Sequence, residues 1–224
     1  VMIFSSDMGS LTVGGRDIKD YYVMLPILIH VVNFISGALA LAISLSTIPN
    51  EYERHTSHLI WSRGVGQGRY HMQLAIGNVL VSWMSGAILY LTLGIFAVIN
   101  GYKGMLGAIA GAYLIQLIYV TIISALTSCL SIVLFPMANG IIMILTLAGG
   151  AFYGFIRLLT AAVTGMGGRV LKILSEVIPN LQGLSRQCGY LVQDKPVDLH
   201  VIVAGLCVIW LAGLGILCFR RKEA

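Results

Sequence analysis

Long apolar stretches separated by short polar segments dominate the chain. Each of the five longest has no Asp, Glu, Lys or Arg in its interior, and they cover residues 22–48, 72–99, 105–135, 140–156 and 199–219. A helix needs about 20 predominantly apolar residues to cross a bilayer. The pattern therefore predicts an all-α polytopic membrane protein in which residues 1–224 form a single transmembrane domain with five spanning helices.

Two further features refine this pattern. Between the third and fourth stretches, Phe135-Pro136-Met137-Ala138-Asn139-Gly140 interrupts the helix and predicts a tight turn. Residues 155–178 carry apolar side chains at helical spacing around three glycines, which predicts two short amphipathic helices in the outer interface. Pro179 is expected to end the second.

Composition narrows the class of protein. Apolar residues make up 58% of the 224 and charged residues only 10%, with a mean hydropathy of +0.89, which excludes an ordinary soluble domain. Three of the four cysteines lie in apolar runs, and Cys188 falls in what reads as a polar loop, so no disulfide or metal framework is expected.

Basic residues at the ends of the stretches predict orientation. The 50–71 segment and the C-terminus with Arg220, Arg221 and Lys222 are both expected in the cytoplasm, and the four crossings between them agree. Residues 1–20 and 157–198 then lie outside, although 157–198 carries five basic residues. A sixth span before Val1 would explain the external start.

The 50–71 segment has its own helix signals. Asn50 followed by Glu53 forms an N-cap and N3 pair after Pro49, and predicts a short helix that stops at the glycine-rich residues 64–68. A capped, charged helix between two spans is either a docking site for a partner protein or an ordinary interfacial helix.

Residues 51–70 resemble the segment after the second span of ABC type-2 exporter permeases, the transmembrane subunits of ATP-binding cassette transporters. Glu51, Thr56, Trp61 and Arg69 match the family pattern, whereas Tyr52, His55 and Gln67 depart from it. The resemblance implies a permease of the plasma membrane that pairs with a second permease subunit, as a homo- or heterodimer, and with two cytoplasmic ATPases that use ATP and magnesium. The helix at 51–63 would be the coupling helix. The residues expected at the ATPase contact are Asn50, Glu51, Glu53, Arg54, Thr56, Trp61, Arg63 and Arg69.

The chain itself carries no motif for catalysis or nucleotide binding. It has no G-x-x-x-x-G-K-[ST] loop, and no charged residue lies in the middle of a predicted span, where it would mark an ion or proton relay. We therefore expect a non-enzymatic subunit without a cofactor, driven by an external ATPase. The alternative is a non-transporting membrane anchor or regulatory subunit of a partner complex.

Three strongly polar side chains lie well inside apolar runs: His30, Asn33 and Gln116. They either line a substrate pathway or form hydrogen bonds between helices, and the second interpretation is favoured. The small residues Ser36, Ala40 and Ser44 predict a close helix contact. His55 and His58, one helical turn apart, lack a convincing third metal ligand.

Overall fold

The computed structural model describes residues 12–13, 16–17, 21–53, 64–163 and 165–218. Apart from an antiparallel pair of two-residue strands, β1 (Thr12–Val13) and β2 (Arg16–Asp17), the described part of the chain is helical. The all-α class is thus confirmed for these residues. Four of the helices are long and apolar enough to cross a membrane.

The first two helices are long rods of 33 residues each, α1 (Tyr21–Glu53) and α2 (Gln67–Ile99). The predicted helix start at Asn50 is wrong, because α1 continues through Pro49 and Asn50 to Glu53. Packing explains the continuation: Ile48 is fully buried in an apolar cluster, and the side chain of Tyr52 packs against that cluster from the next turn. Burial of these side chains offsets the backbone hydrogen bond that proline removes.

Helix α3 (Leu106–Val133) follows a short 3₁₀ turn, Lys103–Met105, and forms the centre of the bundle. It packs against α1 and α2 and against three of the helices described below. The predicted break follows it, since α4 (Pro136–Ala151) begins at the proline, where the missing N–H would have no helical partner anyway. Asn139 and Gly140, expected in the turn, instead lie inside α4.

The fourth predicted span, 140–156, is not one straight helix. Helix α4 ends at Ala151, and α5 (Tyr153–Ala162) continues at a bend of 80°. The described residues therefore contain four spanning candidates, or five if this bent pair is counted as one span.

The segment before the last span contains three helices rather than two. The two predicted amphipathic helices correspond to α5 and α6 (Met166–Val177), separated by Gly165 in a left-handed conformation. Helix α7 (Leu181–Val192) was not predicted. It packs against α1, α3, α4, α5 and α8 (Leu199–Cys218).

The outer surface of the bundle is apolar. Met84, Ile88, Leu91 and Trp210 each expose about two thirds of their side chains or more, and similar residues surround them on α2 and α8. Apolar patches of this extent mark a surface that contacts something other than water. The described helices are therefore compatible with embedding in a membrane.

Candidate functional site

The C-terminal end of α1 and the N-terminal end of α2 are joined by two hydrogen bonds between side chains. The Tyr70 hydroxyl donates to a carboxylate oxygen of Glu51 at 2.8 Å, and the Tyr52 hydroxyl lies 2.7 Å from His71 Nε2. Each helix contributes one tyrosine and one partner. We call residues 50–53 and 67–71 the α1–α2 junction.

The junction contains four of the eight residues expected at an ATPase contact. Asn50, Glu53 and Arg69 are exposed, and Glu51 is half-buried because it accepts the bond from Tyr70. Glu51 and Glu53 lie at the C-terminal end of α1, not at a helix N-terminus as the sequence suggested. The other four, Arg54, Thr56, Trp61 and Arg63, lie outside the described residues, as do His55 and His58.

The end of α8 meets the same junction. Gly68 packs so closely on α8 that a β-carbon there would lie 2.4 Å from the carbonyl oxygen of Leu217. Ile48, Ala75, Ile132 and Ile216 form a separate buried apolar cluster that joins α1, α2, α3 and α8 at this end. The ends of α1 and α8 and the beginning of α2 thus form one end of the bundle, as the parity of the predicted spans requires.

A second cluster of hydrogen-bonded polar side chains lies nearer the other end of the bundle, between α1, α2 and α7. The Tyr90 hydroxyl donates to Asn33 Oδ1 at 2.8 Å, and Asn33 Nδ2 donates to Ser185 Oγ at 3.0 Å. Ser185 Oγ is also 2.5 Å from His30 Nδ1. Because the serine oxygen accepts from Asn33, its own proton is available for His30, and the four side chains form a continuous hydrogen-bonded chain.

The hydrogen-bonding interpretation is confirmed for His30 and Asn33, while a role in a substrate pathway stays a prediction for both. Gln116 differs from them. It is fully buried on α3 opposite Gly86, and neither its side-chain oxygen nor its nitrogen has a hydrogen-bond partner among the described residues. Leaving such a group unpaired costs about 1–3 kcal/mol, which makes Gln116 a residue that stability alone does not explain.

The predicted small-residue contact on α1 is present. Ser36, Ala40 and Ser44 are fully buried, and Ser44 Oγ lies 2.8 Å from Ser124 Oγ of α3. Close to the turn between α3 and α4, Asn139 Nδ2 donates to the carbonyl oxygen of Thr127 at 3.0 Å. This bond is the physical reason that Asn139 lies in a helix and not in the turn.

Sequence reasoning missed the part played by α7. Cys188 was assigned to a polar loop, yet it is fully buried, with its thiol donating to the carbonyl oxygen of Ala112 at 3.4 Å, and Ser185 on the same helix closes the hydrogen-bonded chain. Burial raises the pKa of Cys188 to about 12. A signal was available: Asn180 precedes the helix and caps it, accepting a bond from the Gly183 N–H at 2.8 Å.

Two of the cavities on the surface of the described residues have linings that include none of His30, Asn33 and Gln116. One, of about 550 Å³, is an apolar groove between α2 and α3 that includes Tyr90 and Tyr113. The other, of about 1110 Å³, separates the α5–α6 pair from α8. Within the parts of the chain that the structure describes, no cluster of His, Cys, Asp or Glu is suited to hold a metal ion.

Comparison of the chain with protein-family models, with curated proteins and with solved structures finds no match.

Proposed function

We propose that this chain is the permease subunit of an ATP-driven ABC exporter in the plasma membrane. In this proposal it spans the membrane several times with its C-terminus in the cytoplasm, forms the substrate pathway together with a second permease subunit, and receives energy from a separate cytoplasmic ATPase. That ATPase binds ATP and magnesium. Contact with it is made by the 50–71 segment.

The α1–α2 junction is the observation that carries the proposal. Residues 54–63 lie between two helices of 33 residues, each about 50 Å long. The bonds from Tyr70 to Glu51 and between Tyr52 and His71 tie these helices together where they flank that segment. A force applied to the segment would therefore move both rods as one body, and would not be absorbed by a loose loop.

The exposed charges of the junction fit a protein partner. Glu53 and Arg69 project from the end of the bundle beside Asn50 and are not buried among the helices. Residues 1–224 contain no phosphate-binding loop, and in this proposal the motor is another subunit. The apolar and Met-containing spans favour an amphipathic or hydrophobic cargo.

The proposal is tested with the double variant Glu53→Ala, Arg63→Ala. We expect it to reduce copurification with an ATPase that carries a G-x-x-x-x-G-K-[ST] loop, and to reduce transport, while membrane insertion stays normal. Removal of one charge of each sign from the contact weakens a complementary interface. Copurification is measured from native membranes by quantitative mass spectrometry.

The matched control is Glu176→Ala with Lys195→Ala, which removes the same two charge types from exposed positions outside the junction. It should leave ATPase association unchanged. Equal association and transport in both double variants would contradict the coupling role. A stable partner complex that lacks any ATPase would instead favour the anchor or regulatory subunit.

A further inference from the structure

The larger of the two cavities has walls of opposite character. Its first wall is the polar face of α5 and α6, its second wall is one face of α8, and its floor is made by Ile122 of α3 and Leu184 of α7. We call this cavity the α5–α6–α8 groove. The groove is separate from the α1–α2 junction. The N-terminal half of α8 lines the groove, whereas the C-terminal end of α8 contacts the junction.

The first wall is positively charged. It carries Arg157 on α5 and both Arg169 and Lys172 on α6, against the single carboxylate of Glu176. None of the three cations forms an ion pair within the described residues, so their charge is available to a ligand. The lining positions on α6 follow helical spacing and place Arg169, Lys172 and Glu176 on one face of that helix.

The second wall is apolar. Val201, Ala204 and Val208 recur along one face of α8, and Gly205 between them packs closely against Ile118 and Ile122 of α3. Only His200, at the start of this helix, is polar on this wall. The groove therefore offers cations on one side and a hydrocarbon surface on the other.

Helices α5 and α6 expose their apolar faces and turn their polar faces inward, which is the reverse of amphipathic helices in a soluble protein. Their polar faces line the groove, while Val170, Ile173 and Val177 of α6 and Phe155 and Leu158 of α5 are each more than half exposed on the outside. Such helices are stable where the outer face contacts lipid tails and the polar face contacts headgroups or water. The groove is therefore expected to open at the boundary between hydrocarbon and headgroups.

We propose that the α5–α6–α8 groove binds one anionic phospholipid. Its phosphate lies among Arg157, Arg169 and Lys172, and one acyl chain follows Val201, Ala204 and Val208 along α8. Arginine and lysine are the side chains that recognise phosphate oxygens most strongly. The proposal requires only that the chain is embedded in a membrane and does not depend on the exporter function.

Charge is tested first, with the full chain in a neutral detergent. Native mass spectrometry compares retention of dioleoyl phosphatidylglycerol with that of dioleoyl phosphatidylcholine, and we expect the anionic lipid to be retained in preference. The triple variant Arg157→Gln, Arg169→Gln, Lys172→Gln should raise the Kd for phosphatidylglycerol at least about tenfold, since basic residues near a lipid surface attract anionic headgroups. Its control, Lys103→Gln with Arg186→Gln and Lys195→Gln, removes three exposed charges that do not line the groove and should bind as the unaltered chain does.

The apolar wall is tested separately, by a variant that keeps every charge. Ala204→Trp places a large ring in the groove and should also weaken binding at least about tenfold, whereas Cys207→Trp, at an exposed position on α8 that does not line the groove, should not. This pair decides the question if the triple variant loses its fold, which is checked by its melting temperature.

Three results would overturn the proposal. The first is equal retention of the two lipids, and the second is equal binding by the Ala204→Trp and Cys207→Trp variants. The third is displacement of the lipid by inorganic phosphate alone at comparable concentration, because that would identify a site for a soluble anion without use of the apolar wall.

Discussion

Single buried polar side chains in this bundle differ in whether they have partners, and Gln116 and Gln187 illustrate the difference. Both are buried, but Gln187 accepts a bond from the Asp198 N–H at 2.8 Å, whereas Gln116 has no partner among the described residues. A group held in an apolar interior without a hydrogen bond lowers stability. Residues of this kind are commonly kept for a function.

We therefore expect Gln116→Met to raise the free energy of unfolding by about 1 kcal/mol, because an unpaired amide is replaced by an apolar side chain of similar length. The same exchange at Gln187 should lower it by about 1–2 kcal/mol, since the Asp198 N–H loses its acceptor. Thermal or denaturant unfolding in detergent measures both.

A loss of stability in Gln116→Met would contradict this expectation. A gain of stability together with a loss of transport would place Gln116 in the substrate pathway, which is one of the two roles that its position in the sequence suggested.

The sequence identified the polar residues of α1 but not what they contact. His30 and Asn33 stand out because they interrupt an apolar run, and their hydrogen-bonding role is confirmed. Their partner Ser185 is 155 residues away from His30 along the chain, and no local pattern in a single sequence connects two positions at that distance. Tyr90 was not singled out either, because an aromatic residue is unremarkable in an apolar stretch.

At the scale of elements, close helix contacts decide where the helices of the bundle meet. The contact of Gly68 with α8 is the sharpest, since a β-carbon at this position would lie 2.4 Å from a backbone oxygen that cannot move without moving the helix. Gly77 lies on the same helix with nothing within 4 Å of such a β-carbon. Substitutions at these two glycines therefore distinguish the effect of helix propensity from the effect of packing between helices.

We expect Gly77→Ala to be neutral or to stabilise the protein by up to about 1 kcal/mol, because alanine is the better helix former. Gly68→Ala should destabilise by about 1–3 kcal/mol, because α2 and α8 have to separate. The midpoints of thermal unfolding in detergent compare the two. An equal effect of both substitutions would contradict the close approach of α2 to α8.

Element boundaries were predicted well only where local signals dominate. Pro136 at the first position of α4 obeys such a signal, since proline is favoured at helix starts. Asn50 carries the N-cap signature but lies inside α1, because Ile48 and Tyr52 pack against residues of other helices. Helix α7 was missed because it is short and polar side chains interrupt its apolar ones, although its buried residues Leu181, Leu184 and Cys188 recur at helical spacing.

At the scale of the whole molecule, the bundle has two distinct ends. Glu53 and Arg69 lie at the junction end, whereas Lys103 lies between the end of α2 and the start of α3, and Lys195 lies just before α8. All four side chains are exposed. This arrangement matches the parity predicted from the distribution of basic residues, with the 50–71 segment and the C-terminal helix end on the same side.

Single cysteines at these four positions test the arrangement in membrane vesicles. We expect Glu53→Cys and Arg69→Cys to react with an impermeant maleimide from one side, and Lys103→Cys and Lys195→Cys from the other. Cys129, Cys207 and Cys218 are replaced first. Cys188 can remain, because its thiol is fully buried and its raised pKa of about 12 leaves almost no thiolate at neutral pH.

Labelling of Lys195→Cys from the same side as Glu53→Cys would contradict the two-ended arrangement. It would also mean that the bent pair of α4 and α5 does not cross the membrane, since the chain would then return to the side on which α4 begins. Cys188 itself serves as an internal control, as it should react only after denaturation in SDS.

The hydrogen bonds between α1 and α7 cannot form until a late stage of synthesis of the chain. Ser185 follows His30 by 155 residues, which corresponds to roughly 8–30 s of translation at usual rates. Throughout that interval Asn33 and His30 are already synthesised without the serine that completes their contacts. The first helix is therefore held by its contacts with α2 and α3 while most of the chain is being made, and the arrival of α7 completes the hydrogen bonds of His30 and Asn33.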